Sequence, residues 1–324
     1  MVGSRVRKKI HSRPKLIRKD SNPTVGSSSS APPPWIELPT DVTANILQRL
    51  GAIEILESAQ KVCTTWRTVC KDPAMWRVID MRNSGDDLEI VNLDILCRRA
   101  VDRSLGELID INIEYFGTDD LLLYISDRSS RLKRLRLACC DRISGKGLTK
   151  AVTKFPELEE LHRFYRPWIV AGDIETISIH CPLLKSFSLN NRGYRYRAVD
   201  DSCALAIAKN MPNLRHIGLF GSGLSDEGVK AILDGCPHLE SLDLRRCFMV
   251  ELLGGLEERC FEQIKDVRCP FDSIADYEWD GEVSDTDVYA CFGGFDDYGD
   301  DSTVDYDDVI LDVDMTGWYF DPDN

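Results

Sequence analysis

A short apolar pattern that recurs about every 25 residues between residues 76 and 270 constrains the fold most strongly. The pattern is Φ-x-x-Φ-x-Φ, where Φ is an apolar residue, and its first positions, starting at Leu108, are spaced by 24, 26, 26, 30, 25 and 25 residues. Such regularity indicates a stack of similar units, because each unit buries its apolar face against its neighbours. The clear copies are Leu108/Ile111/Ile113, Leu132/Leu135/Leu137, Leu184/Phe187/Leu189, Leu214/Ile217/Leu219 and Leu239/Leu242/Leu244, with weaker copies at Trp76/Ile79/Met81 and Ile264/Val267/Cys269.

Each copy predicts a short β-strand that follows a helix. The alternation within Φ-x-Φ is the two-residue period of a strand with one buried face. Before the copies that start at Leu158, Leu184, Leu214 and Leu239, the residues have helical spacing and end at a proline, as in residues 228–237. One copy, Leu158 and Leu161, is followed by Arg163 and so lacks its third apolar residue. Stacked units of this kind predict a parallel sheet with helices on its other side.

Two further details make this array similar to a known family of repeats. Eight positions after the first leucine of their copies, Cys140 and Cys247 occupy a position that Asn or Cys often fills. Residues 143–148 and 221–229 match the family's strand-to-helix passages best. The array therefore resembles a leucine-rich-repeat solenoid of the cysteine-containing, plant-like subtype. The resemblance implies an α/β solenoid over residues 81–270, with parallel strands on its concave face and helices on its convex face.

A separate helical pattern occupies residues 35–80, which we call the N-terminal module. Apolar residues at helical spacing predict a first helix with Thr40 as its N-cap and Gly51 as its end. A second helical run extends from Ile55 to Cys70 and ends before Pro73. A module of this length has little core of its own, although tryptophans add buried area. The apolar residues of the first helix are Val42, Ile46, Leu47 and Leu50.

The N-terminal module resembles a small three-helix F-box. The match consists of Leu38-Pro39 at the start, residues 62–67 in the middle and residues 72–76 at the end, besides the first helix. F-boxes dock on the Skp adaptor of Skp–cullin–F-box ubiquitin ligases, so the resemblance implies this adaptor, and through it a cullin, as partners. By the resemblance, the adaptor-binding residues are Leu38, Pro39, Ile46, Leu47, Leu50, Val62 and Trp66.

Some of these apolar residues have a second interpretation. A helical piece with more apolar positions than its core can use should expose a patch, and such patches mark interfaces. Ile46, Leu47 and Trp66 can instead form the core of the module. We favour the core for Trp66 and the interface for Leu38 and Pro39.

An F-box followed by leucine-rich repeats implies that the repeats bind a protein target. By the two-residue period, the non-apolar positions of the strands point to the concave face, where Arg134, Arg136, His162 and His216 are candidate target contacts. Two segments after neighbouring strands mix arginine with aromatic residues, which suits acidic, phosphorylated or aromatic groups. A solvated surface, or rings packed between repeats, is the alternative. These segments add Arg166, Trp168, Tyr194, Arg195, Tyr196 and Arg197 as candidates.

Charge is distributed unevenly along the chain. The formal net charge is -14, and residues 271–324 contain 18 acidic and no basic residues, together with 11 aromatic residues. The net charge argues against general nucleic-acid binding, although the arginine-aromatic segments leave single-stranded RNA as an alternative. We expect residues 271–324 to be a disordered acidic tail and residues 1–34 to be a disordered basic arm with a Ser/Pro-rich linker.

Composition also bears on the compartment. No stretch has the length and apolarity of a membrane span or a secretory signal. The 12 cysteines then predict free thiols in a reducing compartment, which is the nucleus, the cytoplasm or both.

The expected function is that of a substrate-recognition subunit of a Skp–cullin–F-box ubiquitin ligase, whose repeats bind a protein target. We expect no cofactor, metal or catalytic residue, because the sequence has no paired-cysteine motif, nucleophile–base pair or phosphate-binding glycine loop. The alternative is a repeat scaffold that binds partners without acting in ubiquitination.

Overall fold

The computed structural model describes residues 37–83, 90–164, 169–191 and 198–276. It separates the chain into two compact units, residues 1–272 and residues 273–324. The elements described below belong to the first unit. The predicted basic arm and most of the predicted acidic tail lie outside the described residues.

Helices and strands alternate along this unit after an all-helical start. The helices are α1 (Thr40–Gln48), α2 (Ala52–Glu57), α3 (Thr64–Val69), α4 (Ile90–Arg103), α5 (Asp119–Ser126), α6 (Gly145–Val152), α7 (Ala171–His180), α8 (Ser202–Asn210), α9 (Asp226–Gly235) and α10 (Leu256–Gln263). The strands are β1 (Val78–Met81), β2 (Asp110–Glu114), β3 (Arg134–Ala138), β4 (Glu160–Phe164), β5 (Ser186–Asn190), β6 (His216–Gly218), β7 (Ser241–Asp243) and β8 (Asp266–Arg268).

The strands of the described residues form one parallel sheet in chain order, from β1 to β8. The register places the apolar positions of successive repeats side by side, so that Leu135 lies between Ile111 and Leu161. The apolar side chains at these positions form rows across the sheet. Most of them are buried between the sheet and the helices and belong to one continuous core. The solenoid predicted from the repeat spacing is therefore confirmed.

Arg163 replaces an apolar residue in this core without interrupting β4. It lies between Leu137 and Leu189 in the sheet and is 2% exposed. Its guanidinium donates a hydrogen bond to the carbonyl of Ile143, in the loop of the preceding repeat. Burial lowers the pKa of Arg163. The strand thus continues through the broken pattern with Nη2 of Arg163 hydrogen-bonded and Nη1 buried without a hydrogen-bond partner among the described residues.

Carboxylates of one repeat hold the start of the next helix. Asp119 accepts hydrogen bonds from the backbone N–H and the hydroxyl of Ser144, both at 2.7 Å. Asp201 holds Ser225 in the same way, also at 2.7 Å. A Cβ at Gly147 would approach Oδ1 of Asp119 to 1.9 Å, so this position accepts only glycine while the carboxylate stays in place. These bonds fix the stacking of neighbouring repeats.

The first helix of the N-terminal module begins and ends earlier than predicted. Thr40 is the first helical residue of α1, and Pro39 is the N-cap. α1 ends at Gln48, whereas Gly51, with φ of +81°, is the N-cap of α2. A glycine supplies this left-handed backbone without strain, so it marks the reversal between two helices rather than the end of one.

The second predicted helix of the module is also interrupted. The run from Ile55 to Cys70 consists of α2, a 3-10 helix at Ala59–Lys61 and α3. Each piece turns its apolar residues, among them Ile55, Ala59 and Val69, toward the same core. The helical spacing therefore persists across breaks that the apolar pattern alone does not reveal.

The N-terminal module and the repeat array share one core. Trp76 is 1% exposed, and its Nε1 donates to the carbonyl of Cys70 at 2.9 Å. Arg103 of α4 donates to the same carbonyl at 3.3 Å and to Oε1 of Gln60 at 2.8 Å. Its guanidinium lies 5.3 Å from the ring centroid of Trp76. The module is therefore packed directly onto the first repeat.

Candidate functional site

α1 and the turn that follows it expose apolar side chains that the core of the module does not use. Val42, Ile46 and Leu50 follow each other at one-turn intervals and are 38%, 41% and 44% exposed. Val62 is also exposed, as is Pro39, and Leu38 is half-buried. We call these six residues the module patch. Apolar side chains in this number on a small module are typical of a protein interface.

Leu47 and Trp66 differ in burial. Leu47 is fully buried and faces the core together with Thr43, one turn earlier on α1. Trp66 is half-buried and packs against the core. The resemblance implied both for the adaptor surface; burial contradicts this for Leu47, whereas the contact of Trp66 with an adaptor stays a prediction. Two rows of side chains on α1 could face the core, one with Val42 and Ile46 and the other with Thr43 and Leu47. The structure buries the second row, which apolar spacing does not predict because Thr43 is polar.

Two rows of side chains cross the face of the sheet that points away from the helices, which we call the outer sheet face. The register brings Arg134, Arg136, His162 and His216 onto this face, as predicted from the strand period. The first row is Asp110, Arg134, Glu160, Ser186, His216, Ser241 and Asp266, and the second is Asp80, Asn112, Arg136, His162, Ser188, Gly218, Asp243 and Arg268.

Several charges on the outer sheet face are already paired within the chain. Nε of Arg134 lies 2.8 Å from Oδ2 of Asp110, and this hydrogen bond raises the pKa of Arg134. Toward the other end of the sheet, Arg245 and Asp243 form an ion pair of 2.8 Å. An acidic target would have to replace Asp110 to gain the full charge of Arg134. The sequence missed this pairing because Asp110 and Arg134 are neighbours only through the strand register.

Arg136, His162 and Phe164 form a cluster near the middle of this face. The guanidinium of Arg136 lies 4.9 Å from the ring centroid of Phe164, and His162 meets the same ring edge-on at 6.0 Å. Nε2 of His162 and Oγ of Ser186 are 2.8 Å apart. Cation–π and edge-to-face contacts of this kind hold a half-exposed ring in one orientation. The cluster therefore presents a preformed aromatic surface.

His162 is uncharged at neutral pH. Burial, followed by electrostatic interaction with Arg136 and His216, lowers the pKa of His162 to about 4. The imidazole and Ser186 have the spacing of a base and a nucleophile, but so weak a base is poorly matched to activating a hydroxyl near pH 7. The pair is suited to hydrogen bonding with a bound segment.

The remaining predicted target contacts lie outside the described residues. They are Arg166, Trp168, Tyr194, Arg195, Tyr196 and Arg197. The described chain stops at Phe164 before the first group and at Asn191 before the second, so both groups follow strands β4 and β5.

Comparison with known proteins is consistent with this division into module and array. A family model described as F-box-like matches residues 35–82, and a Leucine Rich repeat model matches residues 210–233. The F-box protein SKIP19 of Arabidopsis thaliana is 52% identical over 274 residues, which cover 81% of this chain and 88% of that protein. This chain belongs to the F-box/leucine-rich-repeat proteins.

Other matches agree with this assignment. The putative F-box/LRR-repeat protein 23 of Arabidopsis thaliana is 52% identical over 244 residues, which cover 74% of this chain but 54% of that relative. This chain thus spans about half the length of that relative. Among solved structures, the yeast complex of Rad7 and Elc1 matches at a TM-score of 0.34 and 16% identity over 48% of this chain and 47% of that one, too low to carry an argument.

The F-box match ends inside the sheet. Residues 35–82 include β1 as well as α1 to α3, so the segment that defines the family contributes the first strand of the repeat array. The F-box and the leucine-rich repeats are therefore structurally continuous at β1.

The cysteines in the described part of this F-box/leucine-rich-repeat protein are free thiols, most of them buried. Burial raises the pKa of Cys140 and of Cys247 to about 12. Both are thus protonated at neutral pH and act as small apolar residues. Over the described ranges, no group of three His, Cys, Asp or Glu side chains is placed to hold a metal ion, and no helix has the length and apolarity to cross a membrane.

Proposed function

We propose that this chain is the substrate-recognition subunit of a Skp–cullin–F-box ubiquitin ligase. F-box proteins generally act as substrate receptors of such ligases. The observation that supports this role most directly is the module patch, in which Val42 and Ile46 of α1 and Leu50 just after it are exposed at one-turn intervals. Because these side chains are about 40% exposed, complete burial by a partner would contribute about 1 kcal/mol for each of them.

In this proposal the F-box holds the Skp adaptor, and through it the cullin, while the outer sheet face holds a protein target. Arg136, His162 and His216 contact the target from the sheet, and the arginine-aromatic segments that follow β4 and β5 in the sequence add further contacts. The chain supplies recognition and position, and ubiquitin transfer is carried out by other subunits. Free thiols in the described residues suit a reducing nucleus or cytoplasm.

Co-purification of the full chain with a Skp adaptor tests the role of the module patch. Replacing Ile46 and Leu50 together by Asp should weaken adaptor binding at least about tenfold, because two charges would have to be buried in the interface. Both side chains are already exposed, so thermal unfolding should stay close to that of the natural chain. The matched control is Ile179→Asp, since Ile179 is exposed on α7 in the array.

Adaptor binding that survives the double substitution would contradict the proposal. The alternative, a repeat scaffold outside ubiquitination, predicts that no Skp adaptor binds while target capture by the array persists. The two functions are thus separated by one pull-down with an adaptor arm and a target arm.

A further inference from the structure

Among the described residues, the last repeat leaves one edge of the sheet unpaired. β8 pairs with β7 and has no second neighbour among the described strands. Val267 is only half-buried, whereas its neighbour in the register, Leu242, is fully buried. Phe261 of α10 is 54% exposed, and Phe271 after β8 is 69% exposed. A repeat array requires a cap that covers the apolar face of its last repeat, and the described residues supply little of one here.

The backbone of β8 defines what this edge offers. The N–H of Asp266 donates to the carbonyl of Glu240 at 3.1 Å, and the carbonyl of Arg268 accepts from the N–H of Leu244 at 2.8 Å. Asp266 and Arg268 therefore direct their backbone groups toward β7. Since successive residues of a strand face opposite sides, the N–H and C=O of Val267 point to the open edge.

We propose that β8 pairs with β8 of a second copy of this chain in antiparallel fashion, around a two-fold axis at Val267. The two Val267 residues then exchange N–H···O=C hydrogen bonds. In this register Asp266 of each copy lies directly opposite Arg268 of the other. Directly opposite side chains of unlike charge stabilise a strand pair. A two-fold interface must be self-complementary, and this strand satisfies that requirement.

Phe261 adds an apolar component at the same end. Arg259 of α10 is turned toward α9, because it forms an ion pair of 2.6 Å with Asp234. Phe261 follows Arg259 by two residues, or about 200° around the helix, and so faces away from α9. In the dimer the two Phe261 side chains and the two Val267 side chains lie on the helix side of the joined sheets. The Asp266–Arg268 pairs lie on the outer sheet face.

The charges of β8 match each other across a two-fold axis. Exposed edges are typically shielded by short strands, proline or lysine, and β8 is a three-residue strand between Lys265 and Pro270. Its exposed Asp266 and Arg268, which form an ion pair of 3.4 Å within the strand, nevertheless have opposite signs at positions that the two-fold axis exchanges. The same arrangement that would repel an in-register parallel neighbour attracts an antiparallel one. This proposal does not depend on the binding of a Skp adaptor.

Sedimentation of the full chain over a concentration series tests the dimer. Asp266→Arg places like charges opposite each other twice across the axis, as does Arg268→Asp. Each should weaken dimerisation about tenfold or more. Phe261→Ser should weaken it by removing apolar contact, and Lys209→Asp, on α8 of an inner repeat, should leave it unchanged. Circular dichroism of each variant verifies that the fold is kept.

A mixture of the two charge variants gives the most direct test of the proposed strand pairing. A heterodimer of Asp266→Arg with Arg268→Asp restores unlike charges at both crossings, so the mixture should dimerise as the natural chain does. A natural chain that stays monomeric at all concentrations would overturn the proposal. So would a dimer that tolerates both single reversals, which would place the contact on another face, or a mixture that remains monomeric.

Discussion

The first and last strands of the sheet differ in what covers them. Beside β1 lie the F-box helices: Gly51 approaches the carbonyl of Asp80, and Trp76 is 1% exposed. Beside β8, Val267 is half-buried and Phe261 is largely exposed. In a stack of repeats, stability depends on contacts between neighbours. The end repeat that is covered should therefore resist unfolding better than the end repeat that is not. The difference shows that the F-box covers the first repeat of the array, in addition to the adaptor docking that we propose for it.

The largest expected effect comes from removing the covering side chain at the first end. Trp76→Ala should lower the free energy of unfolding by about 3–5 kcal/mol, because it opens a cavity in the shared core. Urea denaturation followed by circular dichroism measures this loss. Phe261→Ala, at the open end, should change the same quantity by about 0.5 kcal/mol or less at concentrations where the chain is monomeric. Equal losses from the two substitutions would show that both ends are capped alike.

A middle-sized effect is expected from the carboxylate that anchors the last repeat. Asp226 accepts hydrogen bonds from the backbone N–H groups of Glu251, Leu252 and Leu253, each at 2.9 Å. Asp226→Asn should lower the free energy of unfolding at pH 7 by about 1.5–3 kcal/mol, since bonds to a charged acceptor are lost. The control is Glu258→Gln, which neutralises an exposed carboxylate of α10 and should have little effect.

The same substitution predicts a pH dependence. Burial acts to raise the pKa of Asp226, but the three N–H donors outweigh it, and the pKa lies below its ordinary value. The native state therefore binds this proton less readily than the unfolded state. Its stabilisation is present above the unfolded pKa, about 3.9, and is lost as the pH falls through the lower native pKa. The difference in unfolding free energy between Asp226→Asn and the natural chain should thus shrink toward acid pH. A constant difference down to about pH 2 would argue against this anchoring role.

The smallest effect is expected at the joint between F-box and array. Arg103→Met keeps an unbranched chain over Trp76 but removes the bonds to Gln60 and to the carbonyl of Cys70. That carbonyl retains the bond from Nε1 of Trp76, and burial disfavours the charged guanidinium, whose pKa is lowered. The loss should therefore be about 1 kcal/mol by urea denaturation. If Arg103→Met lowered the unfolding free energy as much as Trp76→Ala, this expectation would be wrong. Arg103 would then be a main source of the stability between the F-box and the first repeat.

The strands could be predicted from the sequence, but the pairing and the protonation of the surface side chains could not. Leu135 and Leu137 alternate with charged residues, and this local period predicts a half-buried strand without knowledge of its neighbours. The pairing of Arg134 with Asp110 depends on the register between two strands, which local spacing does not contain. The uncharged state of His162 likewise depends on burial and on Arg136 from the adjacent strand.

The F-box surface shows a similar limit. Ile46 and Leu47 are equally apolar and adjacent, yet one is 41% exposed and the other is fully buried. Which of two neighbouring stripes faces inward is decided by the helices that pack on α1, as the burial of the polar Thr43 shows. The resemblance could imply a set of adaptor contacts, but it could not divide that set between surface and core.

The shared core of F-box and array has a consequence for the choice of modification sites. Because Trp76 and Arg103 join the two parts through buried contacts, a target bound at one strand would be held at a fixed distance from the adaptor in the proposed ligase. Moving the bound segment by one strand shifts it by about 4.8 Å. Within the proposed ligase, the position of the bound strand along the array would therefore set the distance between the target and the adaptor. The strand that a target occupies would determine which of its lysines come within reach of the ubiquitin carrier.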